Sequence, residues 1–241
     1  MWTSTELESE LITYVGRVWR VVEAQHRIST NRLATNLDDQ FLLEQLAEEV
    51  KPQVPESARG LDFLLASPFR YGHRQESRFR RAGERPGIFY ASERESTAIA
   101  ETAYWRLRFF SRSPGFRPPS TTSEYTSFSV QLRSDCALDL TRPPFALSAD
   151  CWNDPDDYTA CQEMAGAARE AGTQLIRSLS VRDPAHGCNV VVLDPGAFAE
   201  RAPRRGKTWH LRFEAGQLTA LAAFPSDERF VFAASSFGLG G

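Results

Sequence analysis

The segment that decides the fold is SRFRRAGERPGIFYASERESTAIAETAYWR, Ser77–Arg106. Arginines crowd a polar loop, Phe89 and Tyr90 fall in a short strand-favouring run, and a helix follows. Ser92 with Glu95 three residues on has the pattern of a capping box, which predicts a helix start there. Ala98 and Ile99 mark the inward face of that helix. Glu101 lies about two turns in, on or beside the Ala98 row. A carboxylate turned partly inward is costly unless it is paired or chemically used.

Outward from this segment the chain alternates between helical and strand patterns. TELESELITYVGRVWRVVEAQH predicts an amphipathic helix over residues 5–26, with Leu7, Leu11, Val15, Val18 and Val22 on one face. Thr5 and Glu8 have capping-box spacing. DDQFLLEQLAEEVK predicts a second helix that stops before Pro52. PQVPESARG is a linker. The division that follows is an N-terminal helical extension, residues 1–60, and a second unit, residues 61–241. In that unit LDFLLASPFRY leads into a strand at PFRY, and YTSFSVQL and ALDLT are two further strands. RSPGFRPPSTTS is a loop. DDYTACQEMAGAAREAG is an alanine-rich helix ending at Gly172. TQLIRSLSV, NVVVL, TWHLRFE, LTALAAF and RFVFA are strands, with EAGQ as a hairpin turn, and the terminal SSFGLGG is expected to be loose. The class is α+β.

The chain has 241 residues, 41% hydrophobic and 24% charged, enough for a sizeable core without staples. Net charge is −3, which argues against a surface built wholly for nucleic acid. Of 28 basic residues all but Lys51 and Lys207 are arginine, a bias that coding composition alone can produce. Cys136, Cys151, Cys161 and Cys188 contain no C-x-x-C pair, and His26, His73, His186 and His210 have no zinc-binding spacing, so no metal is expected. The polar, acidic start lacks the pattern of a signal peptide, and no apolar run is long enough to span a membrane. A cytoplasmic protein is the expectation.

Each candidate constellation has a plain structural explanation beside the chemical one. Arg70, Arg74, Arg78, Arg80, Arg81 and Arg85, with His73 among them and Phe69, Tyr71, Phe79, Phe89 and Tyr90 as aromatic neighbours, form either a solvated charged loop or a cradle for phosphate and an aromatic ring. A nucleic-acid groove uses the same ingredients. Glu101 alone fits a salt bridge. Ser180 alone fits an ordinary strand serine, since no G-x-S-x-G elbow surrounds it. Neither a P-loop nor a G-x-G-x-x-G fingerprint is present.

Taken together, PFRYG with Arg70 and Tyr71, SRFR with Arg78, GIFYAS with Tyr90, TAIAE with Glu101, and SLSVRDPAHGCNVVVLDP with Ser180 resemble the RES-domain family, the toxins of bacterial RES–Xre toxin–antitoxin pairs. The likeness spans about Leu61 to the mid-190s. It implies an ADP-ribosyltransferase-like core of two packed, bent sheets with flanking helices, and NAD+ as substrate. It implies catalytic roles for Glu101, Arg78, Tyr90 and Ser180. Glu101 would stabilise the charge developing on the ribose, Arg78 would clamp the diphosphate, Tyr90 would stack on nicotinamide, and Ser180 would bond the amide or ribose. It further assigns Arg70, Tyr71, Arg80 and Thr159 to binding NAD+. Arg80 competes with Arg78 for the diphosphate, and Thr159, with Gln162 one turn on, competes with Ser180 as the active-site hydroxyl. The implied reaction is cleavage of the nicotinamide–ribose bond with transfer of ADP-ribose to a cellular protein. The alternatives are NAD+ breakdown by water or phosphate, a nucleic-acid-binding or nuclease toxin, and a non-enzymatic interaction domain. The implied partner is an Xre-like helix-turn-helix antitoxin that occludes the cleft, with no direct contact to nucleic acid or membrane. The segment before residue 60 would buttress the fold or bind that antitoxin.

Overall fold

The computed structural model describes residues 2–23, 36–112, 115 and 122–239. Its elements are α1 (Ser4–Glu8), β1 (Ile12–Glu23), α2 (Leu37–Glu49), α3 (Phe63–Arg70), β2 (Phe89–Ser92), α4 (Glu95–Ser111), β3 (Ser123–Asp139), α5 (Ala149–Asn153), α6 (Thr159–Glu170), β4 (Leu175–Leu179), β5 (Cys188–Val192), β6 (Arg204–Glu214), β7 (Gln217–Ala222) and β8 (Arg229–Ala233). The class is α+β, with helices flanking an eight-stranded sheet in the order β1-β2-β5-β4-β3-β6-β7-β8. β1 also pairs with β3, so β1, β2, β5, β4 and β3 close into a bent ring, and β6–β8 extend from β3 as a wing. The ring closes on one bridge, Trp19↔Ser92. Among the described strands only β3 and β4 run parallel.

The long N-terminal helix expected over residues 5–26 is not formed. α1 ends at Glu8, and Ile12–Glu23 is a strand paired with β3 from Ile12↔Ala137 to Glu23↔Tyr125. The cause is composition. ITYVGRVWRVV is dense in β-branched and aromatic residues, which outweigh a chance i, i+4 spacing. The capping box is real but lies two residues earlier, between Thr3 and Glu6. Residues 24–26 lie outside the described residues. The chain before residue 60 therefore supplies a strand of the sheet as well as α1 and α2.

Three other local expectations change. PFRY is the end of α3, not a strand. Asp62 caps this helix by accepting from Leu64 N–H, and Leu65, Ala66 and Phe69 bury one face. Pro68 is tolerated because the helix is short and only one N–H bond is forgone. The two strands expected at 125–132 and 137–141 are one, β3, because the intervening polar residues are satisfied within the sheet. Ser134 donates to Gln174, and Thr13 on β1 donates to Asp135. α4 begins at Glu95 with Arg94 as an N-cap that makes no side-chain bond. Ser92 and Glu95 are engaged elsewhere, Ser92 with Asn189, and Glu95 with Ser127, Trp209 and Lys207. Most of the loop RSPGFRPPSTTS falls outside the described residues. At the C-terminus, Ala234–Phe237 forms a 3-10 turn whose Phe237 ring packs on Tyr104 and Phe232.

Three buried clusters hold the layers. One fills the ring with Phe69, Phe89, Phe128, Val130 and Val190. A second lies under α5 and α6, with Phe79, Trp152, Met164 and Val191. A third packs α4 on the wing through Ile99, Leu107, Trp209 and Leu218. These clusters fix β2, β5 and the start of α4 as rigid walls.

The strand assignment for β1 has a direct test. A helix puts Val15 and Val18 on one face, whereas the strand exposes Val15 (63%) and buries Val18 (1%). In urea unfolding, Val18→Ala should cost about 2 kcal/mol and Val15→Ala less than about 0.5 kcal/mol.

Candidate active site

Glu101 projects from α4 over a row of polar residues that crosses three strands. Ser92 on β2, Asn189 on β5 and Ser178 on β4 are register partners. Ser92 Oγ donates to Asn189 Oδ1 (2.7 Å), and Asn189 Nδ2 donates to Glu101 Oε1 (2.5 Å). Ser180 Oγ donates to the same Oε1 at 2.7 Å. Two donors on one oxygen fix the direction of the carboxyl group. Among the described residues nothing hydrogen-bonds to Oε2, which remains available to a ligand.

Ser180 is itself held from behind. It is 1% exposed, and its Oγ accepts from the backbone N–H groups of Arg182 (3.3 Å) and Asp183 (3.0 Å). Buried Asp183 accepts from Thr97 Oγ1 (2.7 Å) and from Gly187 N–H (3.2 Å). Thr97 and Glu101 are one turn apart on α4, so the helix grips both ends of the 180–187 loop. A Cβ on Gly187 would lie 2.1 Å from Thr97 Oγ1, so that approach requires glycine.

The arginine turn is tied to β2. Ser77 and Arg80 exchange backbone hydrogen bonds, and Phe79 is buried beneath them. The Tyr90 hydroxyl donates to Ser77 Oγ (2.9 Å) and accepts from Phe79 N–H (3.0 Å). Burial pushes the Tyr90 phenol up to about 12, so it keeps its proton at neutral pH. Gly87 lets β2 begin against the end of α3, since a Cβ there would meet Pro68 O at 2.0 Å.

These elements enclose a cavity of about 490 Å³, in the range of small-molecule and cofactor sites. Arg78, Arg80, Tyr90 and Glu101 all line it. Arg78 donates to Trp152 O (2.8 Å) and lies over the Tyr158 ring at 4.9 Å. Arg80 is 6% exposed and donates to Gln75 O, while its Nε has no hydrogen-bond partner among the described residues. Both expected diphosphate candidates thus reach the cavity. Ser180 stands behind its wall, acting on Glu101. Arg70, Tyr71 and Thr159 do not line it. Arg70 is drawn to Glu48 at 2.5 Å and to Pro52 O, which anchors α2. Tyr71 closes the C-terminus of α3. Thr159 is the exposed first residue of α6, its N–H bound to Asp157. Gln162 bonds to Glu76 and Ser77 O, bracing the turn.

Three lining residues escape sequence reasoning. Arg20 lies on β1, with its guanidinium over the Phe89 ring at 4.8 Å and Nη1 buried without a partner among the described residues. Burial pulls its pKa down to about 10, still charged at neutral pH. Arg182 stacks on Tyr104 at 3.8 Å. Asn189 holds Glu101. The signal for Asn189 was a polar residue opening an otherwise apolar buried strand. The signal for Arg182 was its place two residues after Ser180.

The RES domain family model matches residues 54–214. The chain belongs to the RES domain family. Within this RES domain lie the arginine turn, Tyr90, Glu101, Ser180 and Asn189, whereas Arg20 precedes the matched span. Among solved structures, the M. tuberculosis MbcT–MbcA toxin–antitoxin complex contains a chain similar to this one at 16% identity and a TM-score of 0.49, covering 87% of this chain and 91% of that one. No curated protein matches. Among the described residues no group of three or more His, Cys, Asp or Glu is placed to hold a metal ion, and no helix is long and apolar enough to cross a membrane.

Removing the Tyr90 hydroxyl leaves Phe79 N–H and Ser77 Oγ without that partner. Tyr90→Phe should therefore lower unfolding free energy by about 1–3 kcal/mol in a denaturant titration.

Proposed function

We propose that this RES domain is the toxin of a toxin–antitoxin pair, that it cleaves NAD+ at the nicotinamide–ribose bond, and that it passes ADP-ribose to a cellular protein. The observation that carries the proposal is Glu101, its Oε1 fixed by Ser180 and Asn189 and its Oε2 left available, in a cavity that also holds the guanidinium groups of Arg20, Arg78, Arg80 and Arg182.

The chemistry suits those groups. As the C1′–N bond breaks, its electron pair neutralises the pyridinium and positive charge develops on the ribose. An ionised Glu101 stabilises that charge, and Oε2 accepts a hydrogen bond from a ribose hydroxyl. Arginines with unspent donors neutralise the diphosphate. Tyr90 holds the arginine turn and presents its ring to the leaving group. Ser180 and Asn189 position Glu101 without touching the reacting atoms. Transfer to water or phosphate would leave all these roles unchanged, because the acceptor enters only after nicotinamide has separated. A nucleic-acid groove is less well served, since Arg78 and Arg80 turn into the cavity and Arg70 pairs with Glu48. The partner proposed is an antitoxin that occludes the cavity. That reading draws on the family resemblance.

Glu101→Gln keeps an acceptor for Ser180 and Asn189 but removes the charge. Nicotinamide release from NAD+ should fall on the order of 10²–10³-fold with the unfolding curve nearly unchanged. Undiminished release would remove Glu101 from the chemistry. In the same assay with cell extract, mass spectrometry should find a protein carrying ADP-ribose. Free ADP-ribose or its phosphate alone would replace transfer by NAD+ breakdown.

A further inference from the structure

One wall of the cavity carries two cationic groups with unsatisfied donors and a titratable neighbour. Arg20 Nη1 and Arg80 Nε are both buried without a hydrogen-bond partner among the described residues. Buried donors of a charged group are costly to leave unpaired, so such a pair marks a place for an anion. His73, an exposed residue overall, lines the rim of the same cavity, and its backbone carbonyl is fixed by Gly83 N–H at 2.8 Å.

We propose that His73 is the third, proton-dependent ligand of a phosphoryl-binding corner made with Arg20 and Arg80. The imidazole takes up a proton when a phosphoryl oxygen arrives and then donates to it. This rests on the preceding reading only in assigning the phosphoryl group to a dinucleotide.

The electrostatics run in the required direction. In the free protein, burial and then the charges of Arg80 and Arg20 hold the His73 pKa below its ordinary value. The imidazole is therefore neutral at neutral pH and adds no third charge beside the two guanidinium groups. The other charged groups near this corner are Glu76, Arg78, Glu101 and Arg182 on the cavity wall, Glu84 and Arg169 acting on Arg80, and Arg85 against Gly72. None is hydrogen-bonded to the imidazole. A bound diphosphate, with one negative charge on each phosphoryl group, offsets the two guanidinium charges, and a phosphoryl oxygen that accepts from the imidazolium raises the His73 pKa. Since the bound pKa exceeds the free one, affinity is full below the free pKa and falls as pH rises toward the bound pKa.

The test is isothermal titration with ADP-ribose, whose diphosphate stays fully ionised across the window, in buffers of different ionisation enthalpy. Wild type should take up a fraction of a proton on binding and lose about tenfold in affinity between about pH 5.5 and about pH 8. His73→Gln should bind weakly with less than about twofold pH dependence, and His73→Arg should bind tightly with the same flat profile. A second arm with inorganic phosphate separates the sources. Proton uptake dependent on His73 with phosphate alone would assign the corner to free phosphate, and with ADP-ribose alone to the dinucleotide. Wild-type and His73→Gln proteins with the same pH profile, or no binding of either probe, would overturn the proposal. Nicotinamide release is read separately. A protein that binds with proton uptake linked to His73 yet releases no nicotinamide would sink the cleavage reading and leave this one standing, and the reverse result would do the opposite.

Discussion

The carboxylate of Glu101 faces a partly apolar cavity, and a charge there is tolerable only with dedicated hydrogen bonds. The fold provides them at two levels. Asn189 and Ser180 hold Oε1, and each is held in turn, Asn189 by Ser92 and Ser180 by the N–H groups of Arg182 and Asp183. Thr97 returns the connection to α4 through Asp183. Helix, two strands and a loop thus share one closed polar circuit with the carboxylate at its centre. Its rigidity depends on the apolar clusters behind it, because β2 and β5 cannot shift without disturbing Phe89, Val190 and Val192.

Around that carboxylate the guanidinium groups differ in how many of their donors are already satisfied. Arg20 and Arg80 keep unpaired buried donors, while Arg78 and Arg182 are held by carbonyls and aromatic faces. The arginines farther out are spent on architecture. Arg70 anchors α2 through Glu48, and Arg177 links Glu93 with buried Asp139. The arginines therefore divide into two groups, those with unspent donors inside the cavity and those that bridge carboxylates outside it.

Much of this was legible in the sequence where local and tertiary preferences agree. The order of arginine, strand tyrosine and helix glutamate in Ser77–Glu101 gave the cavity's main wall, because short-range geometry carries Tyr90 to a strand and Glu101 to a helix face. Elsewhere they disagree. Apolar residues at 7, 11, 15, 18 and 22 mimic a helical stripe, and in such a helix Arg20 would lie away from the Val18 face. Only the pairing of β1 with β3 turns it into the cavity. Ser92 has the right chemistry and spacing for a cap, but Asn189, distant in sequence, takes its hydroxyl. Arg70 and Thr159 sit in suggestive motifs, yet their side chains answer to Glu48 and to a helix start at the surface. What sequence spacing did not reveal was which polar groups find partners far along the chain.

The most direct measurement is a crystal structure of the protein with ADP-ribose. In that complex the nicotinamide-side ribose hydroxyls should lie within about 3 Å of Glu101 Oε2, with Ser180 and Asn189 still on Oε1, and the diphosphate against Arg20 and Arg80. A ligand bound with Glu101 turned away from the ribose, or seated outside this cavity, would contradict it.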